Sequence, residues 1–155
     1  MGAVLSVLDI NRKAQSQKTA MDNLNFALDS ASRTIRFGED YHCGTIGIIA
    51  LPRDCQGGDT VLTLKASDGS QVVYTVTDGV FTRSINSGVP VALTSPEIYI
   101  QNLTFRVFGS YPYGSDYLQP QVIITLSGIA GSPNRPKDQT TFKLQTTVSQ
   151  RKLDI

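Results

Sequence analysis

The sequence predicts an α+β fold in which a long N-terminal α-helix packs on one face of an antiparallel β-sheet. Three observations support this prediction. Apolar residues recur at helical spacing near the N-terminus, strand-like segments fill the rest of the chain, and two Asp-Gly pairs join successive strands. We expect a single domain at 1–155, made of a helix at 1–37, a connecting loop at 38–58 and the sheet at 59–155.

The N-terminal segment carries an apolar stripe along one side of the predicted helix. Its members are three or four positions apart, the spacing that places side chains on one helix face. Polar residues such as Asp22, Asn25 and Asp29 occupy the opposite face, which water can solvate. We therefore expect the stripe to form the core between helix and sheet, through Met21, Leu24, Leu28, Ala31 and Ile35.

The first residues of the helix are apolar on nearly all sides. A helix over residues 3–37 would be about 50 Å long at 1.5 Å per residue, which is longer than a domain of this size requires. We expect this end to project from the domain and to need a partner, either another helix or a membrane. The residues of this predicted assembly surface are Ala3, Val4, Val7 and Leu8.

The connecting loop contains both cysteines, Cys43 and Cys55, and an apolar run at 46–51 that predicts one buried strand. Two alternatives remain open for the cysteines. A disulfide would indicate an oxidising compartment and would stabilise the fold by about 3 kcal/mol through loop entropy, whereas a cytosolic chain would keep two free thiols.

The single histidine, His42, lies beside Cys43 and near Asp54. A zinc site built from two cysteines, a histidine and an aspartate is conceivable. The cysteines, however, do not have the spacing of a recognised zinc-ligand pair. The sequence therefore favours an ordinary loop histidine, and we predict no metal and no cofactor.

Strand-like segments fill the sheet region and alternate apolar with polar residues. The turn signals Asp68-Gly69 and Asp78-Gly79 join the first three into an antiparallel meander. In the fourth segment the alternation changes parity at 101–102, which indicates a β-bulge. The predicted strands are residues 60–66, 71–77, 80–85, 97–109, 120–128 and 140–148.

Charge and composition narrow the classes of function. The 155 residues include 17% charged ones, the formal net charge is +1, and the arginines are scattered, so we predict no nucleic-acid partner. A Ser-x-x-Lys match at 149–152 follows a predicted strand instead of opening a helix, and one histidine supports no Ser-His-Asp arrangement. We therefore predict that the protein is not an enzyme.

Four segments carry a resemblance to a known family. They are the helix exit at 24–44, the hairpin at 68–85, the strand at 93–109 and the closing strand at 140–154. In this order and spacing they resemble the type IV pilin superfamily, in particular its minor pilins and minor pseudopilins. The resemblance implies that the sequence is the N-terminally truncated soluble head of a prepilin-type protein.

The resemblance also implies a function. We expect a structural subunit of a type IV pilus or of a type II secretion pseudopilus-like filament, which assembles through its N-terminal helix with other pilin or pseudopilin subunits. Such a subunit is held in the bacterial inner membrane by a single pass before assembly. It then belongs to a periplasmic or extracellular filament.

An alternative function rests on a tyrosine-rich loop at 110–119. Its tyrosines are either a contact surface for a subunit or ligand, or caps of the sheet edge with their hydroxyls in water. A contact surface would suit a secreted or surface binding module, such as an adhesin or a carbohydrate-binding domain. The residues concerned are Tyr111, Tyr113 and Tyr117.

Overall fold

A computed structural model describes residues 2–112, 115, 117–131 and 136–151, with side chains except at 2–14, 16 and 138. The chain begins with helix α1, Gly2–Phe37. Gly38 follows its last residue and donates its amide to the carbonyl of Ile35 at 3.1 Å, which satisfies one of the terminal carbonyls of the helix. Arg36 lies in the last turn, where a cation complements the helix dipole.

In the described part of the chain, nine β-strands follow the helix and form two antiparallel sheets. The five-stranded sheet has the order β1-β3-β4-β5-β6, and the four-stranded sheet has the order β2-β7-β8-β9. A short 3₁₀ helix, Pro136–Asp138, precedes the last strand. The strands are β1 Glu39–Cys43, β2 Cys55–Asp59, β3 Leu62–Lys65, β4 Gln71–Thr77, β5 Val80–Ile85, β6 Val91–Ala92, β7 Ile98–Phe108, β8 Gln121–Ala130 and β9 Thr140–Ser149.

The predicted α+β class, with a long helix on one face of a single antiparallel sheet, is wrong. Among the residues whose side chains are described, 48% lie in strands and 19% are helical, and the strands divide between two sheets. The chain is therefore mostly β. The error arises at residues 38–58, which the sequence presents as a connecting loop but which contain β1 and all but the last residue of β2. These two strands pair with different sheets.

The predicted meander and bulge are both present. The Asp-Gly turns connect β3 to β4 and β4 to β5, and the second turn sets a register in which Thr77 pairs with Val80. The pairing of β7 with β8 shifts between Ile100 and Asn102, where the apolar alternation changes parity. The bulge keeps apolar residues directed to the core on both sides of the shift.

The core lies between α1 and the inner faces of the two sheets. Along β8 every second residue is buried, as expected for a strand with one face on the core. In the five-stranded sheet the rings of Tyr74 and Phe81 stack with centroids 5.6 Å apart, and both side chains are fully buried. Phe105 and Leu126 supply the opposing inner face of the four-stranded sheet.

Candidate interaction surfaces

Helix α1 has a buried stripe that packs against the sheets. The structure places Leu24, Leu28, Ala31 and Ile35 in the core and leaves Met21 half-buried at its margin. Sequence reasoning missed Ala20 and Ala27, which are also buried. Both follow the same three-and-four spacing, so the periodicity contained the signal for them.

The outer face of α1 carries two exposed aromatic side chains. Phe26 is 75% exposed and Phe37 is 45% exposed. They are eleven positions apart, close to three helical turns, so they lie on the same side of the helix. The Arg151 guanidinium lies 5.4 Å from the centroid of the Phe37 ring and partly covers it. Phe26 is thus the larger exposed apolar feature of this face.

The predicted assembly residues Ala3, Val4, Val7 and Leu8 have helical backbone, and their side chains lie outside those that the structure describes. Among the described side chains of α1, the first buried one is Ala20. Eighteen residues of α1 precede it, which corresponds to about 27 Å of helix.

A disulfide joins Cys43 to Cys55, with their Cα atoms 5.8 Å apart. Of the two alternatives that the sequence left open, the disulfide is therefore the one present. Cys43 ends β1 in the five-stranded sheet, and Cys55 begins β2 in the four-stranded sheet. The bond is a covalent link between the two sheets, and Cys43 is fully buried.

The segment 44–54 between the two cysteines, called the disulfide loop below, exposes most of its apolar residues. The prediction of a buried strand at 46–51 is wrong, since this segment forms bends and a turn. Ile46 and Ile48 are each 67% exposed, and Leu51 is 55% exposed. Gly47 has a φ of 85°, a left-handed conformation that interrupts any extended run.

The buried side chain of His42 holds the backbone of the disulfide loop in place. The imidazole is 2% exposed, with Nδ1 at 2.7 Å from the Leu51 carbonyl oxygen and Nε2 at 2.8 Å from the Ile46 carbonyl oxygen. The Arg53 guanidinium donates to the Cys43 carbonyl, and the Cys43 amide donates to the Arg53 carbonyl at 3.1 Å. The ends of the apolar run are thereby held in place.

These contacts bear on the zinc site considered from the sequence. The two sulfurs are bonded to each other, so neither is a thiolate ligand, and both ring nitrogens of His42 face carbonyl oxygens. Across the residues that the structure describes, no three or more His, Cys, Asp or Glu side chains are grouped closely enough to hold a metal ion.

The tyrosine segment at 110–119 is anchored beside the disulfide loop. The Asp54 carboxylate accepts hydrogen bonds from the amides of Gly109 at 3.2 Å and Ser110 at 2.8 Å. Tyr111 is 40% exposed and Tyr117 is 67% exposed, whereas Tyr113 lies outside the described residues. Sequence reasoning missed the anchoring role of Asp54, because it depends on a contact across 55 residues.

Three further findings concern the apolar content of α1, the Ser-x-x-Lys match and the comparison with known proteins. Within the described ranges, α1 lacks the apolar stretch that a bilayer-spanning helix needs. The Ser-x-x-Lys match begins at Ser149, which ends β9 instead of opening a helix, and its lysine lies outside the described residues. No family model, curated protein or solved structure matches this chain.

Proposed function

We propose that the protein is a structural subunit of a filament and that it assembles through α1. The observation that carries the proposal is Phe26, a large apolar side chain that is 75% exposed on the outer face of the helix. The buried stripe of α1 already contacts the subunit's own sheets. The outer face is therefore available to a second subunit, and contact with one would remove the Phe26 side chain from water.

In this proposal the N-terminal part of α1 extends the same contact. Residues Ala3, Val4, Val7 and Leu8 supply apolar side chains to helices of neighbouring subunits, which pack with axes about 8–10 Å apart. The resemblance to minor pilins and pseudopilins supports a type IV pilus or a secretion pseudopilus. It also supports an inner-membrane location before assembly and a periplasmic or extracellular filament afterwards.

The test replaces Phe26 with serine and measures self-association by sedimentation equilibrium. Burying a phenylalanine side chain contributes about 1.5–3 kcal/mol, so the dissociation constant should rise about tenfold or more. Val89→Ser is the matched control, because Val89 is 86% exposed but lies outside α1. Val89→Ser should associate like the parent protein. Parent-like association of Phe26→Ser would rule out the outer face as the assembly surface.

A cellular test addresses the N-terminal part of the helix. Val4→Asp should leave the stability of the described fold unchanged and should exclude the subunit from filaments, which is measured in sheared filament fractions. Normal incorporation of this variant would reject the role assigned to Val4.

A second candidate function, a secreted or surface binding module, is favoured by the exposure of Tyr111 and Tyr117 in a segment that Asp54 anchors at Ser110. It predicts that an oligosaccharide array reveals a ligand whose affinity falls in Tyr117→Ser. An array without hits, or a ligand bound equally well by this variant, counts against the binding module.

A further inference from the structure

We propose that a cleft between α1 and the five-stranded sheet binds a carboxylate group carried on an apolar or aromatic body. The cleft has a volume of about 360 Å³, which is within the range of small-molecule sites. Arg33 and Phe37 line it from α1, Asp68 from the turn between β3 and β4, and Arg83 and Ile85 from β5. Phe37 belongs both to this cleft and to the outer face of α1, but the inference does not rest on the assembly proposal, because its main evidence, Arg83, lies on β5 and not on α1.

Arg83 is the strongest evidence for an anionic ligand. It pairs with Tyr74 across β4 and β5, so its side chain lies on the inner face of the sheet. Its Nε atom is buried and has no hydrogen-bond partner among the residues that the structure describes. A buried charged donor without an acceptor is costly, and a ligand oxygen would remove that cost.

The charges around the cleft favour an anion. Arg33 and Arg83 provide two guanidinium groups, and neither forms a salt bridge within the described part of the chain. The acidic group is Asp68, which faces its own turn. Its carboxylate accepts hydrogen bonds from the Ser70 hydroxyl and from the Ser70 amide at 2.9 Å, and these bonds lower the pKa of Asp68. Both arginines remain available to a ligand.

The shape of the donors and the neighbouring apolar surface indicate the ligand class. A guanidinium presents parallel N–H groups in a planar fork that matches the two oxygens of a carboxylate. Phe37 and Ile85 border the cleft and are 45% and 47% exposed, so they offer apolar surface beside the arginines. A carboxylate attached to an aromatic or aliphatic group satisfies both features, whereas a free inorganic anion satisfies one.

The experiment is a titration of the ¹⁵N-labelled protein followed by amide chemical shifts. N-acetyl-L-phenylalanine is the probe, and N-acetyl-L-phenylalaninamide is the neutral control of the same shape. The acid should give saturable shifts at residues 67–70 and 83–85, and the amide should give none. Absence of saturable shifts with the acid, equal binding of the amide, or equal binding of inorganic phosphate would each overturn the proposal.

Substitutions of Arg83 test whether its guanidinium binds the carboxylate. Arg83→Gln should raise the dissociation constant about tenfold or more, and Arg83→Lys should do so as well, because lysine keeps the charge but lacks the planar fork. Arg106→Gln is the matched control, since Arg106 is a half-buried arginine on the outer face of β7 and should leave binding unchanged. Thermal unfolding of each variant verifies folding. A folded Arg83→Gln that binds like the parent would exclude this site.

Discussion

Breaking the Cys43–Cys55 disulfide should lower the free energy of unfolding by about 3 kcal/mol. The bond closes a loop with a sequence separation of 12 residues. For a loop of this length the loop-entropy relation gives about 9.5 cal/mol/K, or about 2.8 kcal/mol at 25 °C, through restriction of the unfolded chain. Both sheets should lose this stability together, because the bond connects a strand of one sheet to a strand of the other.

The assay is urea unfolding of the parent protein and of a variant with alanine at both cysteine positions. The midpoint should fall, and the change in the free energy of unfolding follows from the midpoint and the slope. In a thermal scan the same loss corresponds to a decrease of about 6–12 °C in the melting temperature for a chain of this size.

Reductant provides the matched control for this prediction. It should destabilise the parent to the level of the double-alanine variant and should leave that variant unchanged. Mass spectrometry of the alkylated protein verifies that both thiols are reduced. If the fully reduced parent has the same urea midpoint as the oxidised parent, the loop-entropy argument is refuted.

Three further predictions concern the core, its pH dependence and a turn. Leu28→Asp should unfold the protein, because an unpaired charge at a residue 8% exposed costs about 3–5 kcal/mol; an unchanged circular dichroism melt would contradict this. Burial raises the pKa of the Tyr41 hydroxyl above its usual value of 10.0, so as the pH rises the unfolded chain loses this proton before the folded protein does, and the free energy of unfolding falls. Tyr41→Phe should therefore flatten the decline of the urea midpoint between about pH 9 and about pH 11. A decline as steep as that of the parent protein would contradict this prediction. In urea unfolding, Gly79→Ala should lower the free energy of unfolding more than Gly69→Ala does. Both glycines have a positive φ, but only at Gly79 would an added Cβ collide with the Tyr99 ring. Equal decreases in the two variants would argue against that contact.

Local elements of the fold could be predicted from the sequence because they depend on nearby residues. The spacing of Leu24, Leu28 and Ile35 identifies the buried face of α1, and the Asp-Gly turns identify the meander. The division into two sheets could not be predicted in this way. Strand β2 has the sequence CQGGD, without apolar alternation, and it joins β7 through backbone pairing. Its place in the fold is set by a distant partner strand.

The candidate surfaces likewise depend on contacts between residues far apart in the sequence, which local patterns do not reveal. The apolar run at 46–51 predicts a buried strand on composition alone, yet His42 and the disulfide hold it as a loop, which leaves Ile46 and Ile48 exposed. The sequence could have predicted that the Arg83 side chain points to the core side of the sheet, because a two-residue turn at 78–79 fixes its pairing with Tyr74. Its position beside Arg33 depends on how α1 packs on the sheet, and no local pattern contains that information.

The disulfide also determines how the protein carries mechanical load. Tension that enters through α1 passes into β1 at Glu39 and reaches Cys43, where the covalent bond transmits it directly to Cys55 in the other sheet. The disulfide loop lies outside this load path and cannot be drawn out while the bond is intact. Reduction would add about 35 Å of extensible chain, given the separation of 12 residues and the Cα distance of 5.8 Å. The bond thus shortens the length by which the stretched protein can extend, and it preserves the shape of the disulfide loop under tension.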